Sequence, residues 1–178
     1  YFALRHRHIC IRDRTSLLRI LSGLSLPESG EVLWQGRNIQ SSKDDYYRNL
    51  AYIGHAQGAK AELTPLENLH NYSMLNVLDP NLDAETALER SGLRAVQNQP
   101  CRSLSAGQYR RLAIARLFLS QAQLWILDEP FAGIDDSGAK AVEKLLTSHL
   151  SDGGMVILTS HRPLSKGVRI NQSIEIGL

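Results

Sequence analysis

Two adjacent acids close an apolar run at Leu124-Trp125-Ile126-Leu127-Asp128-Glu129-Pro130. A strand that delivers Asp and then Glu at its carboxyl end presents both in the crevice where α/β sheets bind ligands. The pair suits nucleotide hydrolysis: Asp128 can hold Mg2+ through water while Glu129 polarises an attacking water. Two solvated acids at a strand end are the plainer alternative. Neighbouring segments add to the first reading. Leu104-Ser105-Ala106-Gly107-Gln108 leads straight into Tyr109–Leu119. Small residues before a helix leave backbone N–H groups and the Ser105 hydroxyl at the helix N-terminus, which is an anion site, although a plain Ser-capped helix reads the same way. Phe131–Asp136 follows the acids with a Gly and two Asp residues, and Met155–Thr159 reads as a strand ending in Ser160-His161. That places an imidazole at the same sheet edge as the acids.

The elements that must hold these residues alternate in type. From Thr15, the spacing of Leu17, Leu18, Ile20, Leu21 and Leu24 predicts a helix that Gly23 weakens or closes. Glu31–Trp34 and the turn at Gln35-Gly36-Arg37-Asn38 predict a short hairpin into Ile39. Leu50–Gly54 reads as a buried strand, and residues 62–98 as helical pieces. Thr64-Pro65-Leu66-Glu67 carries a cap, a proline at the first helical position and a glutamate three residues on. Asp83–Ser91 and Ser105–Leu119 are further helices, the latter with Leu112, Ala115 and Leu119 on one face. Leu124–Leu127 is a strand, Ser137–Leu150 a helix and Met155–Thr159 a strand. This alternation predicts an α/β fold with parallel strands, interrupted by a mostly helical insert.

Composition sets the frame. The 178 residues are the size of one domain, and 43% hydrophobic residues exclude a disordered chain. A net charge of +2 and a pI near 8.6 with interspersed signs are only mildly basic and give little support to nucleic acid as the main partner; none is expected. No apolar run approaches the roughly 18 residues of a membrane span. The 2 cysteines, Cys10 and Cys101, make neither a disulfide framework nor a metal pattern, which suits a reducing compartment. The chain opens on Tyr1 rather than Met, so a missing start is expected.

Taken in order, LSAGQ, WILDEP, AGID and TSH resemble the signature loop, Walker B, D-loop and switch histidine of the ATP-binding cassette ATPases. Within that family the segments SGLSLPESGEVLWQG, YIGHAQGAKAELTPLENLH, LSAGQYRRLAIARL and LWILDEPFAGID are most similar to the ATP-binding subunits of the bacterial haem exporter of cytochrome c maturation. The resemblance runs from about Thr15 to Pro163. It implies an α/β P-loop NTPase (RecA-like) parallel-sheet core with a helical insert, incomplete at the N-terminus. On that reading residues 1–178 form one cassette with its core at 15–61 and 121–178, a helical subdomain at about 62–120, and an atypical stretch at 1–14.

The resemblance further implies two such cassettes, or one and a related partner, sandwiching two ATP molecules head to tail, with a homodimer expected here. Ser105, Ala106, Gly107 and Gln108 of one subunit would meet the γ-phosphate held by the other. Glu129 would orient or deprotonate water, His161 would steady the γ-phosphate, and Asp135 would couple the sites across the seam. Thr15 and Asp128 would hold Mg2+, with Arg14, Thr15 and Ser16 at the phosphates and Gln57 as the candidate for the glutamine loop near His55–Lys60. Integral membrane subunits would be the partners, placing the chain peripherally on the cytoplasmic face of the bacterial inner membrane. A non-transport cassette, of the DNA-repair or ribosome-associated kind, is the alternative enzyme; the absence of a long coiled-coil insert argues against it.

The front of the chain departs from the pattern. A phosphate loop reads G-x-x-x-x-G-K-[ST], with glycines that let backbone N–H groups approach the phosphates. Counting back from Thr15, the chain has His8, Asp13 and Arg14 where Gly, Gly and Lys are expected. Asp13 sets a negative charge against phosphate, and Arg14 keeps the positive charge without the compact geometry of Lys. Tyr1–Arg7 is also too short to supply the preceding strands and an aromatic to stack on adenine. Two readings follow. Either the chain is a degenerate cassette that completes a partner's site without catalysis, or residues 1–14 are not native to the domain, through truncation and a reading-frame error. The abrupt failure of the pattern before an intact remainder favours the second.

Overall fold

The computed structural model describes residues 2–5, 14–55, 58–75, 80–165, 167–168 and 171. Among them the elements run β1 (Phe2–Arg5), α1 (Arg14–Leu21), β2 (Glu31–Trp34), β3 (Arg37–Asn38), α2 (Lys43–Arg48), β4 (Leu50–Ile53), α3 (Pro65–Leu75), α4 (Ala84–Arg90), α5 (Ala106–Leu119), β5 (Leu124–Asp128), α6 (Asp136–Ser151) and β6 (Met155–Thr159). They form two three-stranded sheets, an antiparallel β1-β2-β3 and a parallel β4-β5-β6.

β5 is the centre of the parallel sheet and is buried along its whole length. Parallel strands covered on both faces read as continuous apolar runs, which is why Leu124–Leu127 shows no alternation. On one face Leu124 and Ile126 pack with Leu18, Ile20 and Leu21 of α1, Val32 and Trp34 of β2, and Tyr46 of α2. On the other, Trp125 and Leu127 pack with Ala113, Ile114 and Leu117 of α5 and Ala139, Val142 and Leu146 of α6. A third cluster joins Leu69, Ala84, Ala87, Leu88 and Leu93 to Leu112, Ala115 and Leu119 of α5. α5 is therefore buried on two sides, with the expected Leu112, Ala115 and Leu119 face turned toward the other helices.

Three local expectations change. Leu24 does not extend the apolar stripe of α1; it is exposed, because Gly23 adopts φ +75° and ends the helix after Leu21, with the Leu24 N–H donating to the Arg19 carbonyl. Helix α2 carries no apolar periodicity to announce it, yet Tyr46 anchors it: its hydroxyl donates to the Leu21 carbonyl at 2.6 Å and its ring meets Trp34 edge-on at 5.8 Å. Phe2–Arg5, which showed no clean strand pattern, pairs antiparallel with β2, where the backbone ladder supplies what periodicity does not. The Thr64 start of α3 is as expected: Glu67 N–H donates to Thr64 Oγ1 and Thr64 N–H to Glu67 Oε2, a reciprocal capping box.

Candidate functional site

The carboxyl end of β5 delivers Asp128, only 3% exposed, to a cluster built by three elements. The register sets Asp128 opposite Thr159 at the end of β6. Thr159 Oγ1 donates to Asp128 Oδ1 at 2.8 Å and accepts from the Glu129 N–H at 3.0 Å. From the first turn of α1, Thr15 Oγ1 donates to Asp128 Oδ2 at 3.0 Å. A carboxylate this buried costs several kcal/mol unless paired, and two hydroxyl donors satisfy both its oxygens. Thr15 and Asp128 form a pair of hard oxygen ligands at the start of a helix, a donor set that fits Mg2+. Among the described residues no group of three or more His, Cys, Asp and Glu could hold a metal alone. An ion at Thr15–Asp128 would draw its remaining ligands from water and substrate, as Mg2+ commonly does.

Glu129 leaves the strand in the left-handed region, at φ +50°, a conformation that is costly for a residue with a side chain. The turn aims its carboxylate at the segment after β6. His161 N–H donates to Glu129 Oε2 at 3.3 Å, and His161 Nε2 lies 3.4 Å from Glu129 Oε1. The His161 ring is 80% exposed and Arg14 Nη1 lies 3.5 Å from its Nδ1. Five expected residues, Arg14, Thr15, Asp128, Glu129 and His161, thus come together, although Arg14 and His161 stand 147 positions apart. Such a group offers a carboxylate for a water, an imidazole and a guanidinium for anionic oxygens, and a metal position.

Ser105–Gln108 and Asp135 form a second group. Ser105 caps α5: the Gln108 N–H donates to Ser105 Oγ at 3.2 Å and the Ser105 N–H to Gln108 Oε1 at 2.8 Å. One of the N–H groups expected free at this helix end is therefore already satisfied. Gly107 lies so close to the Gly133 carbonyl that a Cβ would sit 2.5 Å from its oxygen, so this turn packs backbone against backbone. Asp135 caps α6 through the Gly138 N–H, accepts from Ser137 Oγ at 2.8 Å and pairs with Arg111 at 2.8 Å. The Ser137 hydrogen bond, with the Gly138 N–H and Arg111, holds its carboxyl below the usual range. Ser16 follows Thr15 in α1, and Ala106 is the first residue of α5. Gln57 and the phosphate-loop positions His8 and Asp13 lie outside the described residues.

Two residues that hold the site are not singled out by the sequence. Thr159 is expected only as a strand end, and Arg110 only as part of the Ser105–Leu119 helix. Thr159 was legible in principle, because a hydroxyl one strand over from an acid pair is a natural partner for it. Arg110 carried no such signal.

The family model described as ABC transporter matches residues 14–132. The cytochrome c biogenesis ATP-binding export protein CcmA of Escherichia coli K12 is 47% identical over 157 residues, covering 85% of this chain and 72% of its own. The protein of the same name from Shigella dysenteriae shows the same identity and coverage. Among solved structures, the ATP-binding cassette MJ0796, in a dimeric post-hydrolysis state bound to ADP and Pi, superposes with a TM-score of 0.71 at 22% identity, covering 84% of this chain and 70% of that one. An ABC transporter ATP-binding protein from Pyrococcus furiosus gives 0.70 at 24% identity, covering 85% and 74%. At these identities the two structures speak to the fold, which is that of the ATP-binding cassettes.

Proposed function

The chain belongs to the ABC transporter family, and from that premise we propose that it is the ATP-hydrolysing subunit of an exporter serving cytochrome c biogenesis, with haem as the expected cargo. The convergence of Thr15, Asp128, Glu129 and His161 at one sheet edge supports the chemistry. The relationship to CcmA supports the pathway.

In this reading Glu129 accepts the proton of the attacking water, aimed by its left-handed turn and by the His161 N–H. His161 donates toward the γ-phosphate, and Arg14 supplies positive charge where the family pattern has Lys. Thr15 and Asp128 would hold Mg2+, which when bound neutralises charge on the phosphate oxygens. Ser16 is expected at the phosphates, and Gln57 is the candidate for the glutamine loop. Ser105, Ala106, Gly107 and Gln108 would complete the nucleotide site of a second cassette, with Asp135 at the seam. Among the described residues no helix is long and apolar enough to cross a membrane. The relationship to CcmA supports attachment to the cytoplasmic face of the inner membrane through integral membrane partners.

The substitutions at His8, Asp13 and Arg14 favour one competing reading, a cassette that completes a partner's site without turning over ATP itself. Co-expression with integral membrane subunits of a cytochrome c biogenesis exporter, followed by ATP turnover of the purified complex, separates the two. The first reading expects co-purification and turnover abolished by Glu129→Gln. Co-purification with turnover indifferent to Glu129→Gln leaves the second, and failure to associate with any membrane subunit overturns the transport assignment.

A further inference from the structure

Helix α5 opens with the Ser105 cap and, one turn later, buries a charge. Arg110 is 2% exposed, in a position where an unpaired guanidinium would be prohibitively costly. It survives by donating to three backbone carbonyls. Nη1 donates to the Gly54 carbonyl at 3.0 Å, Nη2 donates to the carbonyls of Asp128 and Glu129, and Nε donates to the Glu129 carbonyl at 3.2 Å. Gly54 follows β4, and Asp128 and Glu129 end and follow β5, so one planar group bridges the carboxyl ends of two neighbouring strands. A guanidinium has the five donors and fixed fork that this requires; an ammonium on a flexible stem does not.

The peptide units so gripped are those that make Glu129 left-handed, at φ +50°. Strain of this kind persists only where its surroundings over-determine it. Thr159 holds the Glu129 N–H from one side, and Arg110 holds the carbonyls from the other. We infer that Arg110 is a positioning residue: it fixes the turn at Glu129 so that the Glu129 carboxylate stays on the N–H of His161.

This inference rests on the proposed role of Glu129 but is tested without it. In the isotope-labelled chain, Glu129→Gln shifts the His161 amide resonance by altering its acceptor. The same substitution made in Arg110→Lys is expected to shift that resonance at least about threefold less, since the carboxylate has already left. Ile126 in mid-β5 reports whether the sheet is intact and is expected to keep its amide protection. Should Arg110→Lys not fold, Arg110→Gln, which removes the buried charge while keeping two donors, is read in the same way. An undiminished response of His161 in the Arg110 variant overturns the inference, as does a loss of Ile126 protection in step with it, which marks a merely structural role. Turnover of the assembled complex bears on the other reading: a kcat lowered about tenfold or more at unchanged KM in Arg110→Lys supports Glu129 as the base. Diminished coupling with unaltered turnover removes Glu129 from catalysis and leaves its positioning intact.

Discussion

Replacing Thr159 by Val tests the hydroxyl that ties β6 to the acid pair. Valine keeps the shape and branching and removes one oxygen. That oxygen donates to Asp128 Oδ1 at 2.8 Å and accepts from the Glu129 N–H at 3.0 Å. A net hydrogen bond to a charged group is worth about 1.5–3 kcal/mol and one between neutral groups about 1 kcal/mol. The site is only partly buried, so water recovers some of this, and the expected loss is about 2–3 kcal/mol. For a domain of this size that corresponds to a Tm lower by roughly 5–10 °C. Thr159→Ser is the control: it keeps the hydroxyl, loses one methyl group, and is expected to cost less than about 1 kcal/mol. Urea unfolding of the three proteins at neutral pH measures both differences. Thr159→Val equal in stability to Thr159→Ser would refute the reasoning, since the bridge would then contribute nothing beyond the methyl.

Other outcomes are expected from the same geometry. Gly107→Ala brings a Cβ to 2.5 Å from the Gly133 carbonyl oxygen, and because backbone cannot swing aside the substitution should cost about 1–3 kcal/mol in urea unfolding. His149 stacks on Trp125 at 3.7 Å, and burial lowers its pKa below the ordinary 6.5 despite the Gln123 and Met155 backbone groups. The unfolded chain then binds this proton first, so His149 contributes stability at neutral pH that is lost as the pH falls below about 6.5. His149→Phe should flatten that part of the stability–pH curve, and an unchanged slope would show the titration lies elsewhere. With His8, Asp13 and Arg14 in place of Gly, Gly and Lys, the chain should bind a fluorescent ATP analogue more weakly than a version carrying His8→Gly, Asp13→Gly and Arg14→Lys, and equal Mg2+-dependent affinity of the two would contradict this. In a version carrying His8→Gly, Asp13→Gly and Arg14→Lys, Glu129→Gln should trap ATP and a closed dimer on gel filtration, and hydrolysis at the unmutated rate would show that Glu129 is not the base.

Much of this molecule is local, and local features were legible. The capping boxes at Thr64–Glu67 and Ser105–Gln108 close between residues three apart, so composition and spacing suffice to define them. The β5 run announces a strand buried on both faces because each of its first four residues is apolar. The elements that escaped lack such periodicity. α2 is held by Tyr46 reaching back 25 residues to Leu21, and β1 is held by its pairing with β2.

For the site, the sequence by itself determined which chemical groups are present and that Asp128, Glu129 and His161 lie at one sheet edge; that their strands are neighbours came from the structure. Only the tertiary structure decided how they are held. Thr159 acts on the acids 30 and 31 positions away, and Arg110 reaches Gly54 across 56 and Asp128 across 18. Nothing in the spacing of Arg110 within the Ser105–Leu119 helix marks it for burial. It becomes a buried clamp because α5 lies between the sheet and the other helices, and because the carbonyls at two strand ends need donors that the ladder does not supply. The left-handed turn at Glu129 is equally invisible in composition, since its cost is met by contacts from strand and helix together rather than by any preference of glutamate.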